Sequence, residues 1–352
     1  MASMRSDIWL GKKVLVTGHT GFKGAWLTLI LRTLGASVYG LALKPDEGRS
    51  LYFETNLTSF LSAEFIGDIR DEVFLSDVFS QVEFDYIFHL AAQSLVIQSY
   101  KEPMETITTN VVGSANILIK ALACETVRGI SVITTDKVYH NEEWVWPYRE
   151  DDRLGGKDVY SASKAAAEII VWPIVNIFNN RQIPVSTLRA GNVIGGGDWA
   201  ENRLIPDLIR ALISGSTLEI RNPKATRPWQ HVFDCLNGYL LAAENHLQDP
   251  EISIQSLNFG PKDELSVESV LSVFSKSFPK MPDIKIVANT FGEHQSLLLD
   301  SSLARKKLGW EPKFTVNESV TETAEWYMHY LSGEDTRKLS LNAIERFGFE
   351  KK

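Results

Sequence analysis

One stretch constrains this chain more than any other: Val14-Leu15-Val16-Thr17-Gly18-His19-Thr20-Gly21-Phe22-Lys23-Gly24, a short apolar run that passes through three glycines into an amphipathic segment. The run reads as a buried strand, Lys13–Thr17, and Phe22–Leu34 as a helix stopped by Gly35. Glycines at such a turn have three physical uses: a tight bend, close approach of backbone N–H groups to a pyrophosphate, and close packing of helix on strand. The helix N-terminus adds unpaired donors and the positive end of its dipole. Gly18, Thr20, Gly21, Phe22, Lys23 and Gly24 are therefore candidates to hold a dinucleotide. The spacing is GxxGxxG rather than GxGxxG, and its place directly after a strand separates it from an ordinary turn.

The same alternation continues. Strands are expected at Ser37–Leu43, Glu64–Ile66, Tyr86–Leu90, Ser131–Thr134 and Val185–Leu188, with long helices at Thr109–Ala123 and Ser161–Asn176, the latter kinked near its end by Pro173. Strands that alternate with helices give an α/β fold with a doubly wound parallel sheet. From Gly191 the pattern changes to a Gly195-Gly196-Gly197 loop, a helix at Leu204–Ser214 and irregular Pro-, Asn- and Arg-rich segments. Residues 1–190 are thus expected to form the dinucleotide-binding domain and 191–352 mainly a smaller substrate lobe. The chain is expected to return to the first domain around 231–259.

Other positions fall at the C-terminal ends of the strands, where the crevice of such a sheet opens. After the second strand Leu43-Lys44-Pro45 offers no carboxylate for an adenosine ribose; Lys44 suits either a 2′-phosphate or plain solvent exposure. Asp68 and Ile69 follow the third strand, where Asp68 faces an adenine amino group, caps a helix over Arg70–Phe79, or does both. Ala91, Ala92 and Gln93 follow the fourth, with small side chains beside a cofactor or for packing alone. Asn110 is expected to bond backbone near the catalytic strand.

Tyr160 and Lys164 are four apart and share one face of a helix. A neighbouring ammonium lowers a phenol's pKa and lets it act as a base. Thr134-Thr135-Asp136-Lys137-Val138-Tyr139 closes the fifth strand. Thr135 can bond the hydroxyl that Tyr160 deprotonates. Redox at one carbon needs only Thr, Tyr and Lys, so Asp136 and Lys137 point to an added acid–base step, elimination of water.

Composition sets the outer bounds. With 352 residues and 44% hydrophobic content the chain can build a large core. A net charge of −8 argues against nucleic acid or an anionic membrane as partner. Cys124 and Cys235 have no CxxC spacing, the histidines show no ligand spacing, and no apolar run reaches about 18 residues, so no metal, no disulfide framework and no membrane span is expected. The expectation is a soluble cytoplasmic protein.

The segments Thr17–Gly24, Tyr160–Lys164 and the Thr135-Asp136-Lys137 triplet resemble the extended short-chain dehydrogenase/reductase superfamily, and within it the CDP-glucose 4,6-dehydratases. The stretches from Glu143 to Glu150, from Leu154 to Gly156, from Arg189 to Trp199, from Arg227 to Val232 and from Leu308 to Pro312 extend the resemblance over nearly the whole chain. It implies an NAD-dependent, redox-neutral cycle on CDP-glucose or a related nucleotide sugar. Tyr160 takes the 4-hydroxyl proton as hydride leaves C4, and Thr135 assists. The 4-ketone acidifies C5, Asp136 protonates the departing 6-hydroxyl, and the stored hydride returns to C6. The product is a 4-keto-6-deoxy sugar, a precursor for deoxysugars of the O-antigen type.

Lys164 tunes Tyr160 and bonds the nicotinamide ribose. Lys137 stands where dTDP-glucose dehydratases carry a glutamate base; it is either a base of lowered pKa or an electrostatic aid to the enolate. Asn192, Arg203, Arg227 and His294 resemble diphosphate, sugar or nucleotide contacts, with Arg227 suited to a bidentate clamp. Trp144, Trp146 and Trp199 line the mouth or anchor loops. A homodimer through Thr109–Ala123 and Ser161–Asn176 is expected by analogy. An epimerase shares Tyr160, Lys164 and the glycine loop without needing Asp136, and a non-catalytic dinucleotide-binding regulator needs only the fold.

Overall fold

In a computed structural model that describes residues 6–249, 254–287 and 297–349, seven parallel strands form the central sheet. In chain order they are β1 (Lys13–Thr17), β2 (Ser37–Ala42), β3 (Ala63–Ile66), β4 (Tyr86–His89), β5 (Ile130–Ile133) and β6 (Val185–Ala190). Then come four short strands, β7 (Val193–Ile194), β8 (Leu218–Ile220), β9 (Thr226–Arg227) and β10 (Gln230–His231). The sheet's seventh strand is β11 (Ser256–Phe259), and β12 (Leu265–Ser266) and β13 (Ile284–Ile286) follow it. Across the sheet the order is β11-β6-β5-β4-β1-β2-β3. The order reverses between β1 and β4, so the carboxyl ends of these two strands flank the crevice where such sheets bind ligands.

Strand side chains alternate between two cores, as the period of two demands. Val14, Val16, Val38, Tyr86, Phe88 and Leu188 join one cluster, while Leu15, Leu41, Ile87, Ile130 and Val185 join the other. Both faces are buried, so the strands read as continuous apolar runs. The connections contain α1 (Phe22–Thr33), α2 (Leu51–Glu54), α3 (Glu72–Gln81), α4 (Val96–Lys101), α5 (Pro103–Ile107), α6 (Ser114–Ala123) and α7 (Val159–Phe178). Then come α8 (Leu204–Ser214), α9 (Val232–Gln248), α10 (Val267–Ser277), α11 (Ser302–Leu308), α12 (Val316–Leu331) and α13 (Thr336–Phe347). No helix of the described residues is long and apolar enough to cross a membrane.

Three local expectations are corrected. The helix read from Thr109 begins as a π-helical turn, Thr108–Gly113, and becomes α-helical only at Ser114. Helix α7 runs through Pro173 to Phe178 rather than ending at Asn176. The cap of α3 is Asp71, whose carboxylate accepts from the backbone of Val73 and Phe74; Asp68 is instead drawn to Arg70. After the short strands, β11 pairs with β6 in parallel register from Ser256↔Thr187 to Phe259↔Ala190.

Candidate active site

The crevice is a single cleft of about 2280 Å³, several times the roughly 300–1,000 Å³ that holds one small ligand. It has room for two.

At one end lies the glycine turn. Gly18 sits at φ +73°, and a Cβ there would stand 2.8 Å from the Ala91 nitrogen. A Cβ on Gly24 would fall 2.1 Å from the Gly18 carbonyl oxygen, so this glycine lets α1 pack on the turn. Gly21 is different: a Cβ there meets only the Gly18 oxygen, at 3.4 Å. It is the exposed N-cap of α1, without a side-chain cap, so the first-turn N–H groups face the cleft as an anion cradle that a side chain would narrow. These features suit a dinucleotide pyrophosphate.

Opposite the turn, the backbone of Leu90–Gln93 is fixed by side chains. Thr17 Oγ accepts from the N–H groups of Leu90 and Ala91, both at 3.1 Å, so its own proton goes to His89 Nδ1 at 2.8 Å. His89 therefore carries its proton on Nε2 and donates to Ser114 Oγ at 2.9 Å. Burial pushes this imidazole down to about 3, which keeps it neutral. Asn110, in the π-helical turn, accepts from Gln93 N and donates to Gln93 O and Ser163 Oγ. The Gln93 side chain is spent on Leu95 and Thr106. Ala91, Ala92, Gln93, Asp68 and Ile69 all line the cleft. The Arg70 guanidinium, 2.5 Å from Asp68, holds the Asp68 carboxyl below its ordinary range.

At the cleft floor Thr135, Asp136 and Tyr160 come together, with Lys164 one turn along the helix from Tyr160 and outside the cleft lining, all four less than 9% exposed. Thr135 caps a 3₁₀ turn over Asp136–Val138 and donates to Asp136 Oδ1 at 2.8 Å. The Asp136 carboxylate rests on the bare face of Gly191, where a Cβ would stand 1.7 Å from Oδ2. Burial pushes the Tyr160 phenol up to about 12, opposed first by its hydrogen bond with Thr135 and then by the Arg203 guanidinium. The Lys164 ammonium donates to the Ile133 carbonyl at 2.9 Å. Burial lowers Lys164 itself to about 8, with Lys23 pushing the same way and Glu168 opposing. Lys23 is also lowered by burial, and it donates to Tyr239 Oη at 3.2 Å.

Lys137 points outward: it is exposed at the cleft lip. Asn192 at φ +48°, Arg203 and Arg227 line the wall across from the turn. Arg203 pairs with Asp198 at 2.9 Å, and Arg227 donates to the Thr226 carbonyl at 2.7 Å. His294 lies outside the described residues. Trp199 lines the cleft and packs edge-on to Tyr327, whereas Trp144 stacks on Tyr148 and stands, like Trp146, exposed away from it.

Sequence reasoning missed Gly191 and the buried Glu168. The second had a signal: Tyr160, Lys164 and Glu168 recur at intervals of four on one helix face, and an acid in an otherwise apolar stretch needs a partner.

Comparison with known proteins places the chain among enzymes. A family model described as GDP-mannose 4,6 dehydratase matches residues 15–323. A CDP-glucose 4,6-dehydratase of Salmonella typhimurium is 38% identical over 341 residues, covering 94% of both chains. A UDP-glucose 4-epimerase of Halalkalibacterium halodurans is 28% identical, covering 92% of this chain and 98% of its own. The solved structure of MoeE5 in complex with UDP-glucose and NAD superposes with a TM-score of 0.77 at 25% identity, covering 91% of this chain and 99% of that one.

Proposed function

The chain belongs to the GDP-mannose 4,6 dehydratase family, and from that premise we propose that this nucleotide-sugar 4,6-dehydratase acts on CDP-glucose and makes CDP-4-keto-6-deoxyglucose. The extent of the similarity to a CDP-glucose 4,6-dehydratase supports the choice of sugar nucleotide. The observation that carries dehydration is the Asp136 carboxylate, 2% exposed, set beside Thr135 and Tyr160 at the cleft floor. An epimerase moves no proton to O6 and needs no such acid.

NAD fits the glycine cradle, with Gly18, Thr20, Gly21, Phe22, Lys23 and Gly24 on one side and Ala91, Ala92 and Gln93 on the other. Asp68 and Ile69 would face its adenosine end. Held there, the nicotinamide would supply the two-electron acceptor and donor chemistry that a redox-neutral dehydration needs.

Tyr160 accepts the proton of the 4-hydroxyl while Thr135 holds that oxygen. A phenol at about 12 needs cationic help to do so. Arg203 already supplies some, and Lys164, buried one turn away, would hold the nicotinamide ribose. Asp136, in its acid form, gives its proton to O6 as the C6–O bond breaks and water leaves. The C5 proton passes to the Lys137 amine at the cleft lip, the ammonium so formed stabilises the enolate by charge, and the proton returns to C5 as hydride is restored at C6. Asn192, Arg203 and Arg227 take the diphosphate and nucleotide, the guanidinium groups offering planar paired donors. Met104, Ile107, Val112, Ile169 and Ile177 are exposed apolar residues on α5, the π-helical turn and α7, a surface that suits a homodimer. Light scattering measures the mass.

The deciding experiment incubates the protein with NAD and CDP-, dTDP-, UDP- and GDP-glucose. A 4-keto-6-deoxy product from CDP-glucose, absorbing in alkali, is expected. Inversion at C4 would replace this reading with epimerisation, and preference for another nucleotide would overturn the substrate.

A further inference from the structure

The turn that carries Thr135 and Asp136 is tied down at both ends by one buried ion pair. Upstream, Thr134 Oγ donates to Glu168 Oε1 at 2.5 Å. Arg189 of β6 grips the same carboxylate, with Nε at 2.9 Å from each oxygen and a terminal nitrogen at 2.5 Å from Oε2. Downstream, the other terminal nitrogen of Arg189 donates to the Tyr139 hydroxyl at 2.6 Å, and the guanidinium stacks over that ring at 4.9 Å. Tyr139 in turn donates to Asn258 Oδ1 on β11 at 2.8 Å.

Glu168 and Arg189 are 1% and 2% exposed, and neither lines the cleft. Desolvation makes such a pair a poor source of stability, since apolar residues of equal volume serve as well or better. What a guanidinium offers here is direction: donors in one rigid plane reach both ends of a short turn at once.

We propose that Glu168 and Arg189 are positioning residues that set the height of the Thr135–Asp136 turn at the cleft floor through Thr134 on one side and Tyr139 on the other. They act on the reacting groups without touching substrate. The consequence for turnover rests on the dehydratase reading; the clamp itself rests on the hydrogen bonds.

Thr134→Val removes one tie and leaves the ion pair whole, Thr134→Ser restores the hydroxyl, and Tyr139→Phe releases the other end. Hydrogen exchange by mass spectrometry reads the clamp directly. Amides of residues 135–139 are expected to exchange about tenfold faster in Thr134→Val and Tyr139→Phe, at the native rate in Thr134→Ser, with β1 unchanged in all three. In the turnover assay, kcat is expected to fall by about tenfold or more while KM for the nucleotide sugar and the affinity for NAD stay within about twofold. A purely structural role would instead lower the unfolding temperature and move KM and NAD affinity together with kcat. Unchanged exchange in the turn, or full kcat in Thr134→Val, overturns the proposal. If the native protein turns over no nucleotide sugar, the dehydratase reading fails, and the exchange rates still decide the clamp.

Discussion

Gly191→Ala adds a single methyl group, and the structure says where it lands. The new Cβ would stand 1.7 Å from Asp136 Oδ2 and 2.1 Å from its Cγ, against the 3.4 Å of ordinary contact. Gly191 does not sit at positive φ, so the backbone tolerates alanine and the carboxylate must give way. Asp136 is held by Thr135 on its other side, so the retreat also disturbs the hydroxyl that serves Tyr160. A misplacement of about 1 Å at a reacting group costs on the order of 100-fold in rate. Overpacking of this size costs about 1–3 kcal/mol in stability, which a domain of this length tolerates. Turnover of CDP-glucose to the 4-keto-6-deoxy product should therefore fall about 100-fold while NAD affinity, measured by calorimetry, holds.

The decisive comparison is a double-mutant cycle. If the methyl acts by displacing the Asp136 side chain, then Gly191→Ala combined with Asp136→Ala, which removes the group the methyl meets, is no slower than Asp136→Ala alone. Losses that add in the double variant, or a Gly191→Ala enzyme within about threefold of the native rate, would refute the reasoning.

Three other outcomes follow from the same coordinates. Gly24→Ala puts a Cβ 2.1 Å from the Gly18 oxygen and 2.8 Å from the His19 Cα, against backbone of the turn itself, so NAD affinity should drop by about 100-fold or more; calorimetry showing native affinity would contradict the cradle. His89, His231 and His246 are held neutral by burial at about 3, 3 and 4, below the unfolded 6.5, so their contribution is whole above pH 6.5 and is lost as pH falls toward the folded values. Urea midpoints at pH 7.5, 6.5 and 5.5 should show about 1 kcal/mol lost per histidine across the last step, and a flat profile would contradict it. Lys44→Asp places a carboxylate on the exposed cleft rim just beyond β2 and should tighten NAD binding about tenfold through the adenosine ribose; no gain would leave that rim without a ribose contact.

Apolar runs and glycines carried most of the architecture, and the reason is visible at β1. Val14, Leu15 and Val16 are each fully buried, on alternating faces, so nothing competes with their strand reading. The α8 boundaries at Leu204 and Ser214 were equally legible because Gly215 stops the helix at φ +67°. Long-range choices were not legible. The sequence offers Asp68 as the cap, yet Asp71 takes that place, because Asp68 is held by the Arg70 guanidinium, which also bonds Thr108. The π-helical turn at Thr108–Gly113 depends on Asn110 finding the Gln93 backbone, 17 residues away. Tyr160 and Lys164 share a helix face as their spacing dictates, yet the ammonium follows the Ile133 carbonyl, a choice made by the strand beneath it.

The seventh strand also bears on how a nascent chain emerges from the ribosome. By Ala190 the glycine turn, Thr135, Asp136, Tyr160 and Lys164 have all been synthesised, yet β6 has no neighbour on its outer side until Ser256–Phe259 arrives. Until then its unpaired backbone is a template for any passing strand, and Tyr139 lacks Asn258. A fragment that stops between the two strands holds every reacting group in an unsealed sheet, and should be lost to aggregation rather than recovered as a working half-enzyme.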